Sequence, residues 1–215
     1  MSAKDRVNEI IAALEAEYPD AICSLEYGKD YELLISVRLS AQCTDERVNK
    51  VTPALFDAYP TLESIAAATP ENIEPYIRSC GFYHGKAKDI VLSARMLLSD
   101  YGGRVPDTMD ELLKLPGVGR KTANLLLGDI YNVPSSVVVD THCIRLSNRI
   151  GFVDNLKDPP KIEAVLRKIL PPEKSNNFCH RCVLHGRAVC TARKPKCERC
   201  CIRQYCDVGL GLKEG

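Results

Sequence analysis

Apolar residues recur at helical spacing along almost the whole chain and at strand spacing nowhere. Val7, Ile10, Ile11 and Leu14 share one face over 4–18, and Leu33, Leu34, Val37 and Leu39 share one over 30–40. The second run breaks at Ser40-Ala41-Gln42-Cys43, after which Thr44 is placed to cap a helix towards Tyr59. Pro53 lacks an N–H and should kink that helix or end it early. Two short helices are expected over 61–68 and 71–80, the second with Pro70 near its start. Gly81-Phe82-Tyr83-His84-Gly85 reads as a loop, and 86–101 as an amphipathic helix closed by Gly102-Gly103.

Next, Thr108-Met109-Asp110-Glu111 has the Thr-x-x-Glu pattern of a capping box, and Leu112, Leu113 and Leu115 continue as a short helix. Pro116-Gly117 cannot continue it. Gly117 and Gly119 tolerate positive φ, so the chain can turn within four residues and start another helix near Arg120, running to about Asn132. Such a helix–hairpin–helix aims backbone N–H groups outward from a helix N-terminus, a concavity suited to phosphate. Further on, 134–139 is extended, Asp140 caps a helix through Ile150, and 161–170 and 174–189 are the last helices. Helices joined by short turns, without a strand set or a repeat, predict an all-α protein.

Length allows one large domain or two small ones, each with a real core, in 215 residues. No run of 18 apolar residues occurs, and Met1-Ser-Ala-Lys-Asp has no basic-then-apolar leader, so a soluble, intracellular protein is expected. Eleven cysteines, an odd number, argue against a secreted disulfide framework. Net charge is only +1, yet residues 1–115 carry −7 and residues 116–215 carry +8. An acidic front and a basic back point to a polyanion held on one face.

Gly117-Val-Gly-Arg-Lys-Thr lacks the four-residue spacer of a Walker A loop, and a dinucleotide fingerprint would need Gly where Thr122 stands and a strand where a helix precedes. What singles the hairpin out is Lys121, on the first turn of the second helix. There the dipole disfavours an ammonium by a few tenths to about 1 kcal/mol. A lysine so placed, and partly desolvated, titrates more easily to the neutral amine that attacks carbon. The plainer alternative is a solvated lysine contacting phosphate.

The chain ends in Cys190-x6-Cys197-x2-Cys200-x5-Cys206, four thiols within seventeen residues, with Arg193, Lys194 and Lys196 inside the first loop. Thiolates so spaced suit zinc or an iron–sulfur cluster. Zinc would want a second knuckle, which Cys179-x2-Cys182 could supply, although both fall mid-helix. Cys23, Cys43, Cys80, Cys143 and Cys201 read as small buried residues or spare thiols.

Leu115-Pro-Gly-Val-Gly-Arg-Lys-Thr-Ala-Asn124, then Val139-Asp-Thr-His142, then the cysteine tail, resemble the endonuclease III family of DNA glycosylases. The resemblance extends to Leu39-Ser-Ala-Gln-Cys-Thr-Asp-Glu-Arg-Val-Asn-Lys50 and so covers nearly the whole chain. It implies a two-domain helix–hairpin–helix glycosylase fold. A central helical domain would cover 23–133; 1–22 plus 134–215 would form a second, cluster-bearing domain, with DNA in the cleft between. It also implies excision of oxidised pyrimidines and cutting of the strand at the abasic site, on double-stranded DNA carrying damaged pyrimidines or abasic sites. By position, Lys121 matches the family nucleophile, Asp140 its catalytic carboxylate, and Cys190, Cys197, Cys200 and Cys206 the ligands of a [4Fe–4S] cluster.

The same resemblance puts Gln42 in the segment that fills the gap left by a flipped nucleotide, and Asp45 among the polar residues lining the cleft. The backbone of Gly117, Val118 and Gly119 would hold DNA phosphate, helped by Arg193, Lys194 and Lys196. Phe82 departs from the family, which usually has an aliphatic wedge there; it could stack between bases or pack under the loop. Asp140 also stands where an N-cap would, and His142 reads as a helix-start hydrogen-bonder rather than a catalyst. A monomer in the cytoplasm is expected, at the nucleoid in a prokaryote, with no membrane partner. A DNA-binding module or a redox iron–sulfur protein would need no Lys121–Asp140 pair. A base-only glycosylase would lack the lysine.

Overall fold

The computed structural model describes residues 2–213, and the helices of those residues fall into two compact units, Cys23–Tyr131 and Met1–Ile22 with Asn132–Gly215. Residues 1, 214 and 215, which the domain expectation included, lie outside the described residues. No β-strand occurs among the described residues, and no helix there is long and apolar enough to cross a membrane.

In the unit Cys23–Tyr131 the organising element is α2 (Asp30–Ser40). Leu33, Leu34, Ile35, Val37 and Leu39 are all buried, which takes up more than one face, as befits a helix packed on several sides. It packs against α3 (Asp45–Ala58), α6 (Tyr83–Asp100) and α8 (Arg120–Asp129). The short α4 (Leu62–Ala67) and α5 (Pro70–Ile77) cover α6, and a 3-10 turn, Arg78–Cys80, follows α5. The small α7 (Met109–Leu112) packs on α8 to complete the hairpin.

Two expectations are corrected here, and one of the two alternatives for Pro53 is excluded. Pro53 does not end α3, which continues to Ala58. The proline removes one backbone hydrogen bond, but Val48, Thr52 and Leu55 are buried on either side of it and hold the helix to its neighbours. Residues 83–85 are not loop: α6 starts at Tyr83, and the connection shrinks to Gly81 and Phe82. At α7 only half of the capping box forms. Thr108 accepts from the Glu111 N–H, while the Glu111 carboxylate takes the Tyr101 hydroxyl at 2.7 Å and Lys114 at 2.6 Å.

The other unit packs α11 (Ser175–Ala188) against α1 (Ala3–Glu17) and α9 (Thr141–Ile150), with α10 (Pro159–Ile169) on α9. Gly186 lets α9 and α11 close up, since a Cβ there would lie 2.5 Å from His142 Nδ1. Arg6 ties α1 to the cysteine segment, donating to the Tyr205 carbonyl at 2.8 Å, to Asp207 at 2.6 Å and to the Ile150 carbonyl.

Candidate functional site

The hairpin is built inward from Leu112, Leu115 and Val118, all buried, with Val118 N–H donating to the Leu115 carbonyl at 3.1 Å. Gly117 is required twice over. Its φ is +73°, and a Cβ would come within 2.6 Å of both Arg38 Cδ and Asp89 Oδ2. Gly119 is different from expectation: its φ is −103°, an extended value open to any residue. A Cβ at Gly119 would meet nothing within 4 Å, so neither conformation nor protein packing demands glycine. Gly119 caps α8 without a side chain, which leaves the first-turn N–H groups uncovered by any capping oxygen.

Lys121 is the second residue of α8, and the first turn holds no acidic residue. The buried side of α8 runs through Ala123, Asn124, Leu126 and Leu127, so Lys121 points away from the core and is exposed. The expected partial desolvation is therefore absent from the chain by itself; the opposing helix dipole remains. No hydrogen bond or ion pair to the described residues holds its ammonium.

Asp140 belongs to the other unit. Val137, Val138 and Val139 are buried and carry the extended chain to it. Its Oδ1 accepts from the Cys143 N–H at 2.7 Å, which is the N-cap of α9, and Oδ2 is the second oxygen of the same carboxylate. His142 meets Arg145 Nη2 at 3.1 Å through Nδ1, within the helix-start network expected of it.

Gln42 and Phe82 line one groove with Ala41 and Lys86. Both take the left-handed conformation, φ 56° at Gln42 and 48° at Phe82, which for a residue as bulky as Phe is an outlier. Such conformations cost of the order of 1–3 kcal/mol each and persist only where the surroundings over-determine them. Phe82 is 75% exposed, so it does not pack under its loop. Asp45, the first residue of α3, accepts from Ser24 Oγ at 2.6 Å.

Cys190, Cys197, Cys200 and Cys206 line a single cavity, together with Arg149 and His185. Cys201 and the pair Cys179 and Cys182 are not among its walls. Cys179 and Cys182 are instead fully buried against Cys143 of α9, so they supply no second zinc knuckle. None of the eleven cysteines is joined in a disulfide. No three Cys, His, Asp or Glu side chains among the described residues are arranged to hold a single metal ion. Four cysteines around one cavity supply the all-thiolate donor set that an iron–sulfur cluster requires. Burial pushes the Cys200 thiol up to about 12 and Cys206 up as well, so thiolates here call for cations beside them, which iron supplies.

The sulfurs are supported from outside. Arg149 Nη1 donates to Cys190 Sγ at 3.4 Å and to the Thr191 carbonyl at 2.7 Å. His185 bridges Cys200 Sγ at 3.3 Å and the Tyr18 hydroxyl at 3.2 Å; burial pulls its pKa down to about 4, so the ring is neutral and splits one donor and one acceptor between them. Arg193, Lys194 and Lys196 are exposed on the loop between the first two cysteines. Arg149, His185 and Lys86 were missed in the sequence. Only Lys86 left a signal, since it lies on the face of α6 that carries Ile90, Ala94 and Leu97.

Residues 35–172 match the family model of HhH-GPD superfamily base excision DNA repair proteins, and residues 190–206 that of the iron–sulfur binding domain of endonuclease III. The chain is 47% identical over 205 residues to endonuclease III of Synechocystis sp., covering 95% of this chain and 93% of the relative. It is 39% identical over 199 residues to endonuclease III of Escherichia coli, covering 93% of each. A solved structure of a trapped covalent intermediate of endonuclease III with DNA matches with a TM-score of 0.89 at 41% identity, over 99% of both chains. Fold, family models and similar proteins converge: the chain belongs to the endonuclease III family of base excision repair enzymes, DNA N-glycosylases with abasic-site lyase activity that carry a [4Fe–4S] cluster.

Proposed function

We propose that this enzyme removes oxidised pyrimidines from duplex DNA and cuts the strand 3′ to the resulting site by β-elimination, through a Schiff base on Lys121. The observation that carries the proposal is Lys121 itself: an exposed amine without an acidic neighbour on the first turn of α8, directly after a glycine hairpin. A base inside a duplex is out of reach, so the nucleotide must first be flipped out. The neutral Lys121 amine then attacks the sugar C1′ and the N-glycosidic bond breaks, its electron pair leaving with the base, which takes up a proton. Asp140 stabilises the positive charge that grows at the sugar. The C1′–O4′ bond then opens, O4′ taking the proton that the amine gives up, and leaves an iminium that acidifies C2′. Loss of that C2′ proton expels the 3′ phosphate, and water hydrolyses the C=N bond to release Lys121.

The remaining residues receive supporting roles in this reading. Gln42 fills the space left by the flipped nucleotide, and Phe82, exposed and in a left-handed backbone conformation, stacks against the neighbouring bases. Asp45 lines the same approach beside Ser24. N–H groups of the Gly117-Val118-Gly119 turn and the start of α8 hold a phosphate, an approach that the open space over Gly119 permits. Cys190, Cys197, Cys200 and Cys206 hold the cluster, whose contribution is to cross-link a segment with little core of its own, and Arg193, Lys194 and Lys196 contact phosphate. The work would be done on genomic DNA.

A panel of duplexes carrying one damaged base each, scored separately for base release and for strand cutting, tests this. Release of oxidised pyrimidines with cutting in parallel is expected. Release without cutting, or activity confined to alkylated purines, would overturn it.

A further inference from the structure

Lys86 is among the largest fully buried side chains of the described residues, 1% exposed, and no carboxylate among those residues pairs with it. Its ammonium donates to three backbone carbonyls: Leu39 at 2.8 Å, Ala41 at 2.7 Å and Cys80 at 2.9 Å. An ammonium has three donors, and all three are used. The acceptors lie at two helix ends. Leu39 and Ala41 belong to the last turn and C-cap of α2, and Cys80 closes the 3-10 turn after α5. Orphan carbonyls and the negative dipole end of α2 thus take the place of a counter-ion. Two of the three acceptors stand close before a strained residue: Ala41 directly before Gln42, and Cys80 two residues before Phe82. The Lys86 backbone N–H also takes the Phe82 carbonyl, at 3.2 Å.

We infer that Lys86 is a positioning residue that fastens the Gln42 and Phe82 loops to one another through its ammonium, so that both side chains are presented to DNA in a fixed register. The inference rests on the reading of Gln42 and Phe82 as the residues that occupy the opened duplex. Without the ammonium, packing of α2 on α6 still sets the two helices against each other, but their loop ends would be joined by no polar contact of this kind. A single cation shared by both helix ends fixes their spacing without touching DNA.

The test is a coupling measurement on the intact holoenzyme. Lys86→Met keeps the length of the side chain and removes its donors. On a thymine-glycol duplex, kcat/KM should fall by roughly 10²-fold, the penalty of misplacing groups that must meet the substrate together. Borohydride trapping on a single-stranded abasic oligonucleotide, where nothing has to be flipped, should change less than about threefold. Placed in a Gln42→Ala/Phe82→Ala background, Lys86→Met should cost less than about threefold further, because residues acting as one unit are non-additive. A 2-aminopurine beside the lesion should brighten on binding wild-type protein and stay dark with Lys86→Met. If Lys86→Met does not accumulate folded, Lys86→Gln, which keeps two N–H donors, takes its place in the same cycle. Additive losses, or equal losses on duplex and single strand, would overturn the inference and leave the loops' role standing. If Gln42→Ala/Phe82→Ala itself left duplex activity untouched, the loop reading would fall and the inference with it.

Discussion

Arg38 of α2 and Asp89 of α6 meet at 2.7 Å against the face of Gly117, so the hairpin rests on an ion pair belonging to two other helices. Hairpin geometry is thereby tied to the core element of its unit. The two glycines of the turn should separate cleanly under substitution. Gly117→Ala combines a positive φ with a clash against both members of the pair, and is expected to cost about 1–3 kcal/mol in denaturant unfolding. Gly119→Ala should cost less than about 1 kcal/mol, since its φ and surroundings accept a methyl group. Its effect should appear in duplex affinity instead, because the methyl stands where the chain is open for a phosphate. Equal stability losses at the two positions would contradict the geometry.

Iron should accompany the cavity lined by Cys190, Cys197, Cys200 and Cys206. Anaerobically prepared protein is expected to be brown, with about four irons per chain. Cys179→Ser and Cys182→Ser should leave the metal content unchanged while losing about 1–3 kcal/mol of stability, since a buried hydroxyl replaces a thiol. One zinc and no iron by elemental analysis would refute the assignment.

What could be read in advance was whatever obeys a local rule. Thr44 and Asp140 cap the helices they were expected to cap, with side chains accepting from Arg47 and Cys143 N–H groups. The α2 boundaries fall where the apolar run starts and stops. Pro53 does not end α3 early, the second of its two expected effects, because its penalty is local whereas the burial of Val48 and Leu55 that outweighs it is tertiary. Lys121 was expected partly buried, but its exposure depends on which face of α8 the core claims. Around the cysteines the support is longer-ranged still. Arg149 reaches Cys190 across 41 residues and His185 reaches Cys200 across 15, with no motif joining them. Lys86 shows the limit most clearly: a lysine at a core position is visible in the sequence, but the two helix ends it joins are not.

The exposed loop between Cys190 and Cys197 should act through charge alone. Neutralising Arg193, Lys194 or Lys196 one at a time is expected to lower the slope of log affinity against log salt by roughly 0.9 each, for damaged and undamaged duplex alike. Lys196 also donates to the Ala188 carbonyl at 3.2 Å, so its replacement carries a small folding cost that the other two lack. A triple variant with an unchanged slope would remove the loop from the DNA-contacting surface.

Lys121 separates covalent catalysis from simple phosphate contact. If its amine forms a Schiff base with the sugar, borohydride should trap the chain covalently on an abasic-site or thymine-glycol duplex. Lys121→Gln should abolish both the trap and strand cutting. Its fold should be kept, since an exposed substitution at a helix start costs only about 0.5 kcal/mol, and removing a cation from that end relieves the dipole. Asp140→Asn retains a capping oxygen for the Cys143 N–H, so stability should hold while base release slows by something like 10²–10⁴. Asp140→Ala should lose the cap as well, by about 0.5–2 kcal/mol, and must be compared at matched folded fraction. A phosphate-contact lysine predicts the reverse: no cross-link at any pH, and weaker duplex binding by Lys121→Gln. Wild-type protein that binds duplex normally yet cross-links to no lesion would end the Schiff-base mechanism.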